Sequence, residues 1–165
     1  MRYLILLFAL LVVAAHADEA KPFDPAGYPL AVQKALRYAN EECDSQGGGA
    51  VTFVPDTVRK VDLTGDGRDD YIVDFRDTKC GEREGTYCGT GGCVLDILVT
   101  RPDGSVRTVF DGYVRSYSIV APSMKRGAAR VIRFDLHGSY CGGFGAQACV
   151  KERAITATPF TFKQP

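Results

Sequence analysis

Six cysteines, Cys43, Cys80, Cys88, Cys93, Cys141 and Cys149, constrain this chain more than any other feature, because an even set behind an export signal predicts three disulfides. The signal is read from residues 1–17. Arg2 supplies the charged start, Leu4 to Ala15 the apolar core, and Ala15-His16-Ala17 a small-x-small cleavage site. The apolar run is shorter than the ~20 residues a spanning helix needs, and Asp18 and Glu19 follow it, so cleavage is expected rather than anchoring. No cysteine stands directly after it to carry a lipid. The implied localisation is periplasmic or secreted, with no membrane span.

None of the cysteines forms the CxxC pair of a zinc ribbon or a thioredoxin-like redox site. Six cysteines allow 15 pairings, and the sequence does not choose among them. The pairing expected is Cys141 with Cys149 and Cys88 with Cys93 across Gly-rich loops, leaving Cys43 to tie a helix to Cys80. Each bridge typically adds about 2 to 4 kcal/mol by restricting the unfolded chain.

The 165 residues carry 20 basic and 20 acidic side chains, and removal of Arg2 leaves about one net negative charge. That balance offers no footprint for nucleic acid or an anionic membrane. Residues 18–29, with Pro22, Pro25, Gly27 and Pro29, read as a flexible leader, and residues 30–165 as a single domain. Pro29 suits the first turn of a helix running to about Glu42 or Cys43, with Val32, Ala35, Leu36, Ala39 and Cys43 on one face. Gly47-Gly48-Gly49 ends it.

Beyond Gly49 the apolar period changes to two, which predicts strands near 51–54, 57–62, 71–75, 93–100, 105–110, 113–120, 130–137 and 149–156. Pro102-Asp103-Gly104 is a turn between two of them. Ile132, Phe134 and Leu136 alternate with Arg133, Asp135 and His137; Leu95, Ile97 and Val99 alternate with Asp96, and Tyr71, Val73 and Phe75 with Asp74. The expected fold class is α+β: one N-terminal helix packed on a twisted antiparallel β-sheet meander, stabilised by disulfides. A small all-β barrel with a peripheral helix is the alternative.

Asp62-Leu63-Thr64-Gly65-Asp66-Gly67-Arg68-Asp69-Asp70 sets oxygen ligands at alternate positions around a forced turn. Calcium loops use side chains at positions 1, 3, 5 and 9, a carbonyl at 7 and Gly at 6, positions filled here by Asp62, Thr64, Asp66, Asp70, the Arg68 carbonyl and Gly67. Position 12 is Val73 rather than Glu and the flanks read as strands, which separates the loop from an EF-hand. Thr64 is a neutral ligand, which predicts modest affinity for a structural Ca²⁺. Without a cation the three aspartates are expected to repel one another and titrate higher. The competing possibility is a metal-free turn in which the aspartates bond their own backbone.

The stretch Val61 to Val73 resembles the aspartate-rich loop of FG-GAP and VCBS-type repeats, where a DxNxDGxxD loop joins two strands and usually holds Ca²⁺. The resemblance covers about a dozen residues and implies a local loop; a single copy does not make a propeller. The helix ending at Cys43, the Asp loop, Cys88-Gly89-Thr90-Gly91-Gly92-Cys93 and His137-Gly138-Ser139-Tyr140-Cys141-Gly142-Gly143 together look like a group of small exported, Cys-rich bacterial proteins. That resemblance implies a periplasmic setting and brings no activity with it.

Enzyme signatures are sparse. His137 is the only histidine after the signal, and a triad with Asp135 and Ser139 is unattractive because strand neighbours alternate faces. No GxSxG, GxxxxGK[ST] or GxGxxG motif occurs. Carboxylate chemistry by Asp74, Asp96 and Asp135 on a shared outward face is the enzymatic possibility, as in glycoside hydrolysis. His137 reads as a surface residue.

Residues 80–93 and 138–149 are Gly-rich, Cys-framed and carry Tyr87, Tyr140 and Phe144, residue types that anchor interfaces when their loops are rigid. The alternative is that these aromatics cap the core. The function expected is a monomeric, exported binding or structural module with one calcium loop, acting on a protein or cell-envelope partner. An inhibitor or immunity-type protein that blocks a cell-wall hydrolase is the first alternative, and a small carboxylate-based hydrolase the second.

Overall fold

A computed structural model describes residues 23–120 and 127–164, so the expected signal and most of the expected leader lie outside the described residues. Pro29 caps the first helix, α1 (Leu30–Ser45), which buries Val32, Leu36, Ala39 and Cys43. The helix ends at Ser45, just past its expected end at Glu42 or Cys43, and stops where Gly47 takes φ +66°. A left-handed residue there is costly for anything but glycine.

Ten strands follow among the described residues: β1 (Val51–Thr52), β2 (Val58–Val61), β3 (Asp70–Asp74), β4 (Lys79–Cys80), β5 (Cys88–Gly89), β6 (Gly92–Thr100), β7 (Val106–Val114), β8 (Ser116–Val120), β9 (Val131–Leu136) and β10 (Cys149–Ala154). Every pairing is antiparallel. The main sheet runs β2-β3-β6-β7, with β5 folded back on the start of β6; β8, β9 and β10 form a second sheet, and β1 and β4 a short ribbon. The α+β class holds, yet the single expected meander is divided in two. A break was expected between 110 and 113, whereas β7 runs unbroken to Val114 and the chain crosses to the second sheet at Arg115. There Arg115 N donates to Asp135 O at 2.8 Å and its carbonyl accepts from Arg76 Nη1 at 2.9 Å.

The molecule therefore has three layers, with α1 on one side of the main sheet and the second sheet on the other. Leu63, Ile72, Leu95, Ile97, Val99, Ile132, Phe134 and Leu136 fill the space between the sheets. Val32, Leu36, Tyr71, Val73, Phe75 and Leu98 fill the space under the helix. The helix thus covers the Tyr71, Val73, Phe75 face but not the Leu95, Ile97, Val99 face, because the sheet is buried on both sides. Beyond β10 the chain returns across the first core, where Phe160 and Phe162 join Phe110 and Phe134 and Phe160 N donates to Val109 O at 2.8 Å.

The three expected disulfides are present. Cys43–Cys80 ties the end of α1 to β4, Cys88–Cys93 closes the β5–β6 hairpin, and Cys141–Cys149 frames the loop before β10. Such staples fit an extracellular or periplasmic protein. Among the described residues no helix is long and apolar enough to cross a membrane.

Candidate functional site

The Asp loop joins β2 to β3 and is clamped at both ends. Leu63 is wholly buried between the sheets, its carbonyl accepts from Arg130 N at 2.7 Å, and the Asp62 carbonyl accepts from Arg130 Nε at 2.7 Å. On the other side Thr100 Oγ1 donates to Asp69 O. Gly65 and Gly67 take φ of +77° and +85°, which lets the chain turn tightly enough to aim its N–H groups inward.

Those N–H groups find the aspartates. Asp62 Oδ1 accepts from Gly65 N at 2.7 Å and Asp66 N at 3.2 Å, and Oδ2 accepts from Gly67 N at 2.9 Å. Asp70 Oδ2 accepts from Leu63 N at 2.8 Å and Thr64 N at 3.0 Å, and Oδ1 from Thr100 N at 2.9 Å. Asp66 accepts from Arg68 N at 2.9 Å and pairs with the Arg68 guanidinium at 2.5 Å. The residues expected as ligands are thus drawn into one turn, but no group of three or more His, Cys, Asp or Glu converges on a point among the described residues.

Mutual repulsion does not set the titration of Asp66 or Asp70. Burial pushes the Asp70 carboxyl up, against the pull of its backbone N–H bonds and the Thr64 hydroxyl. The Arg68 N–H, with help from Thr64 and the Arg68 charge, holds Asp66 below the usual carboxylate range. The expected rise through aspartate crowding is therefore corrected at these two positions, since burial raises Asp70 and the Arg68 N–H lowers Asp66.

Thr64 is the unusual member. Its Oγ1 is buried and makes no hydrogen bond of ordinary geometry, although it lies close enough to the Asp66 and Asp70 carboxylates to lower both. A buried hydroxyl without a partner is uncommon and costs about 1 to 3 kcal/mol.

The Cys-framed loops do meet, with Thr86 to Gly91 on one wall and His137, Ser139 and Tyr140 on the other of a shallow groove of about 590 Å³. Their aromatics part company. Tyr87 is 5% exposed, packs on Phe75 and donates its hydroxyl to Ala39 O at 2.8 Å, so it locks the helix to the hairpin rather than serving as a free contact. Tyr140 leans on the core between the sheets, while Phe144 is 82% exposed. His137 Nδ1 lies 2.8 Å from Ser139 Oγ and caps the short turn that follows, a local role.

Asp74, Asp96 and Asp135 do not share a face. Register places Asp96 opposite Val73, on the helix side, and Asp74 opposite Leu95, on the other. Asp135 lies in the second sheet, opposite Ser116 and Val150. The expected carboxylate set is thereby dispersed over separate surfaces. Thr100 and Arg130, which hold the Asp loop in place, went unrecognised in the sequence because each lies some 30 or more residues from it.

No family model matches the chain, and no curated protein or solved structure matches it.

Proposed function

We propose that this chain is an exported, disulfide-stapled binding and structural module whose Asp62–Asp70 loop takes up Ca²⁺. The observation that carries the proposal is Thr64 Oγ1, a buried oxygen that makes no hydrogen bond of ordinary geometry yet lies close enough to the Asp66 and Asp70 carboxylates to draw both down, at the third ligand position. An oxygen held in that state suits a hard cation, which accepts carboxylate, hydroxyl and carbonyl donors alike. The ligands are Asp62, Thr64, Asp66, the carbonyl of Arg68 and Asp70. Asp62 Oδ2 and Asp70 Oδ1 each accept a single N–H and keep a second lone pair, so the backbone bonds orient both carboxylates and leave one oxygen of each open to a cation. Calcium, when bound, supplies the positive charge that gathers them.

Arg68 plays a second part. Its guanidinium occupies Asp66 and must yield that oxygen to the ion, which tempers affinity in keeping with a site suited to the calcium of an extracellular medium. The likeness to FG-GAP and VCBS loops supports the same reading. Calorimetric titration of the oxidised mature protein with calcium should show one saturable site that Asp66→Ala abolishes. Equal heats from the two proteins would remove calcium from the account.

A second reading, recognition of a protein partner such as a cell-wall hydrolase by the Cys-framed loops, draws on the groove those loops form and on the exposure of Phe144 in the second of them. An inhibitor would bind its hydrolase stoichiometrically and weaken on Phe144→Ala, with no turnover of its own.

A further inference from the structure

A cleft of about 470 Å³ opens between α1 and the β6–β7 part of the main sheet, remote in sequence from the calcium loop. Small residues make the room. Ala31 and Ala35 face the sheet from the helix, and Gly112 faces them from β7. The floor is acidic, for Asp96 and Asp111 are direct cross-strand partners, which places their side chains side by side. Two tyrosines stand at the mouth, Tyr38 at 59% exposure and Tyr113 at 52%.

Neither carboxylate has a hydrogen-bonded or ion-paired side-chain partner among the described residues, and only burial and the neighbouring Asp111 act on Asp96. Lys34 lines the wall but lies on the exposed side of the helix and pairs with neither. A half-buried carboxylate beside a second one, with no hydrogen bond or ion pair made to either, is relieved by a cation. A hard metal ion is poorly matched, since it seeks six or more oxygens and the walls here are aliphatic and aromatic. An organic cation fits each surface: its charge meets the carboxylates, its methylenes lie along Ala31, Ala35 and Val94, and the tyrosine rings offer π faces.

We propose that this cleft binds an alkylammonium group, supplied by a free amine or by a lysine side chain, through Asp96 and Asp111 between Tyr38 and Tyr113. The proposal is independent of calcium at the Asp loop. The groups that face Asp96 are Asp111 from β7, Tyr113 at the mouth, and Lys34 and Tyr38 from α1. Burial and Asp111 push Asp96 up to about 7, so the cleft gains its second charge near neutrality.

Cadaverine, the peptide acetyl-Ala-Lys-Ala-amide and glucose as a neutral control should be titrated calorimetrically into the oxidised protein. Saturable binding of cadaverine is expected, tightening roughly tenfold from pH 6 to pH 8 and weakening at least tenfold in the Asp96→Asn, Asp111→Asn double variant. Asp135→Asn, on a different surface, should leave it unchanged. Binding of the peptide as well as cadaverine would assign a protein source, and of cadaverine alone a free amine. The near-isosteric Asn substitutions remove repulsion, so folding is preserved, as a thermal melt will verify. Absence of saturable binding by either amine, equal loss in Asp135→Asn, or binding of glucose in their place would overturn the proposal.

Discussion

Thr64 and Asp70 show how one side chain can carry opposite demands. Asp70 is wholly buried and accepts from three backbone N–H groups, two in its own loop and one at Thr100. Asp70→Ala leaves those donors unpaired and should cost about 2 to 4 kcal/mol by chemical denaturation, with or without calcium. Thr64→Val is sharper, because it deletes a hydroxyl without a partner. In chelator it should stabilise the protein by about 1 kcal/mol, and in calcium it should weaken binding. Arg68→Ala frees Asp66 and should tighten calcium binding two- to fivefold, the modest scale of an exposed ion pair. At Asp96 the sign runs the other way from a salt-bridged aspartate. The folded carboxyl titrates at about 7, above its unfolded value near 3.9, so the native state holds the extra proton between those limits. Stability should therefore fall as pH rises from 4 to 7, and Asp96→Asn should raise stability at pH 8, on the order of 2 kcal/mol, and do little at pH 4.

The elements were legible wherever a local pattern decides them. Val32, Leu36, Ala39 and Cys43 share a helical face in both sequence and structure, and the Gly-rich hairpins announce the short-range bridges. The division of the sheet was not legible, because the local break falls at 111–112, around Gly112, while the crossing at Arg115 depends on Asp135 and Arg76, each at least 20 residues away. Alternation likewise put Asp96 and Leu95 on opposite faces, but nothing local says that both faces are covered. Tyr87, open in sequence to either recognition or capping of the core, is undecided for the same reason. Its loop looks like a recognition loop, and only the helix carbonyl it reaches, at Ala39, reveals it as a tie. The disulfides differ in weight by the chain they close. Cys43–Cys80 spans 37 residues and Cys88–Cys93 only 5. Loop-closure entropy predicts that replacing the first pair by Ala costs about 4 kcal/mol and the second about 2 kcal/mol, in urea unfolding of the two variants.

On the scale of the whole molecule, three layers meet near one end, where the Asp loop leaves the main sheet and is held by Arg130 at the start of the second. Leu63 carries the loop into the core between the sheets, so an ion at Asp62, Asp66 and Asp70 acts on the sandwich and not on an isolated turn. The helix and its cleft lie on the other side of the main sheet, fixed by Cys43–Cys80 and by Tyr87. The proposed calcium uptake and the proposed occupancy of the cleft are thus separable, and each has its own variants. The direct test of the calcium account is the thermal unfolding midpoint of the oxidised mature protein in excess calcium, in excess magnesium and in chelator. A ligand that binds only the folded state stabilises it by mass action, so at saturating calcium a rise of about 5 to 10 °C is predicted, absent with magnesium and lost in Asp66→Ala. The same midpoint in all three solutions would contradict it and leave the loop a metal-free turn.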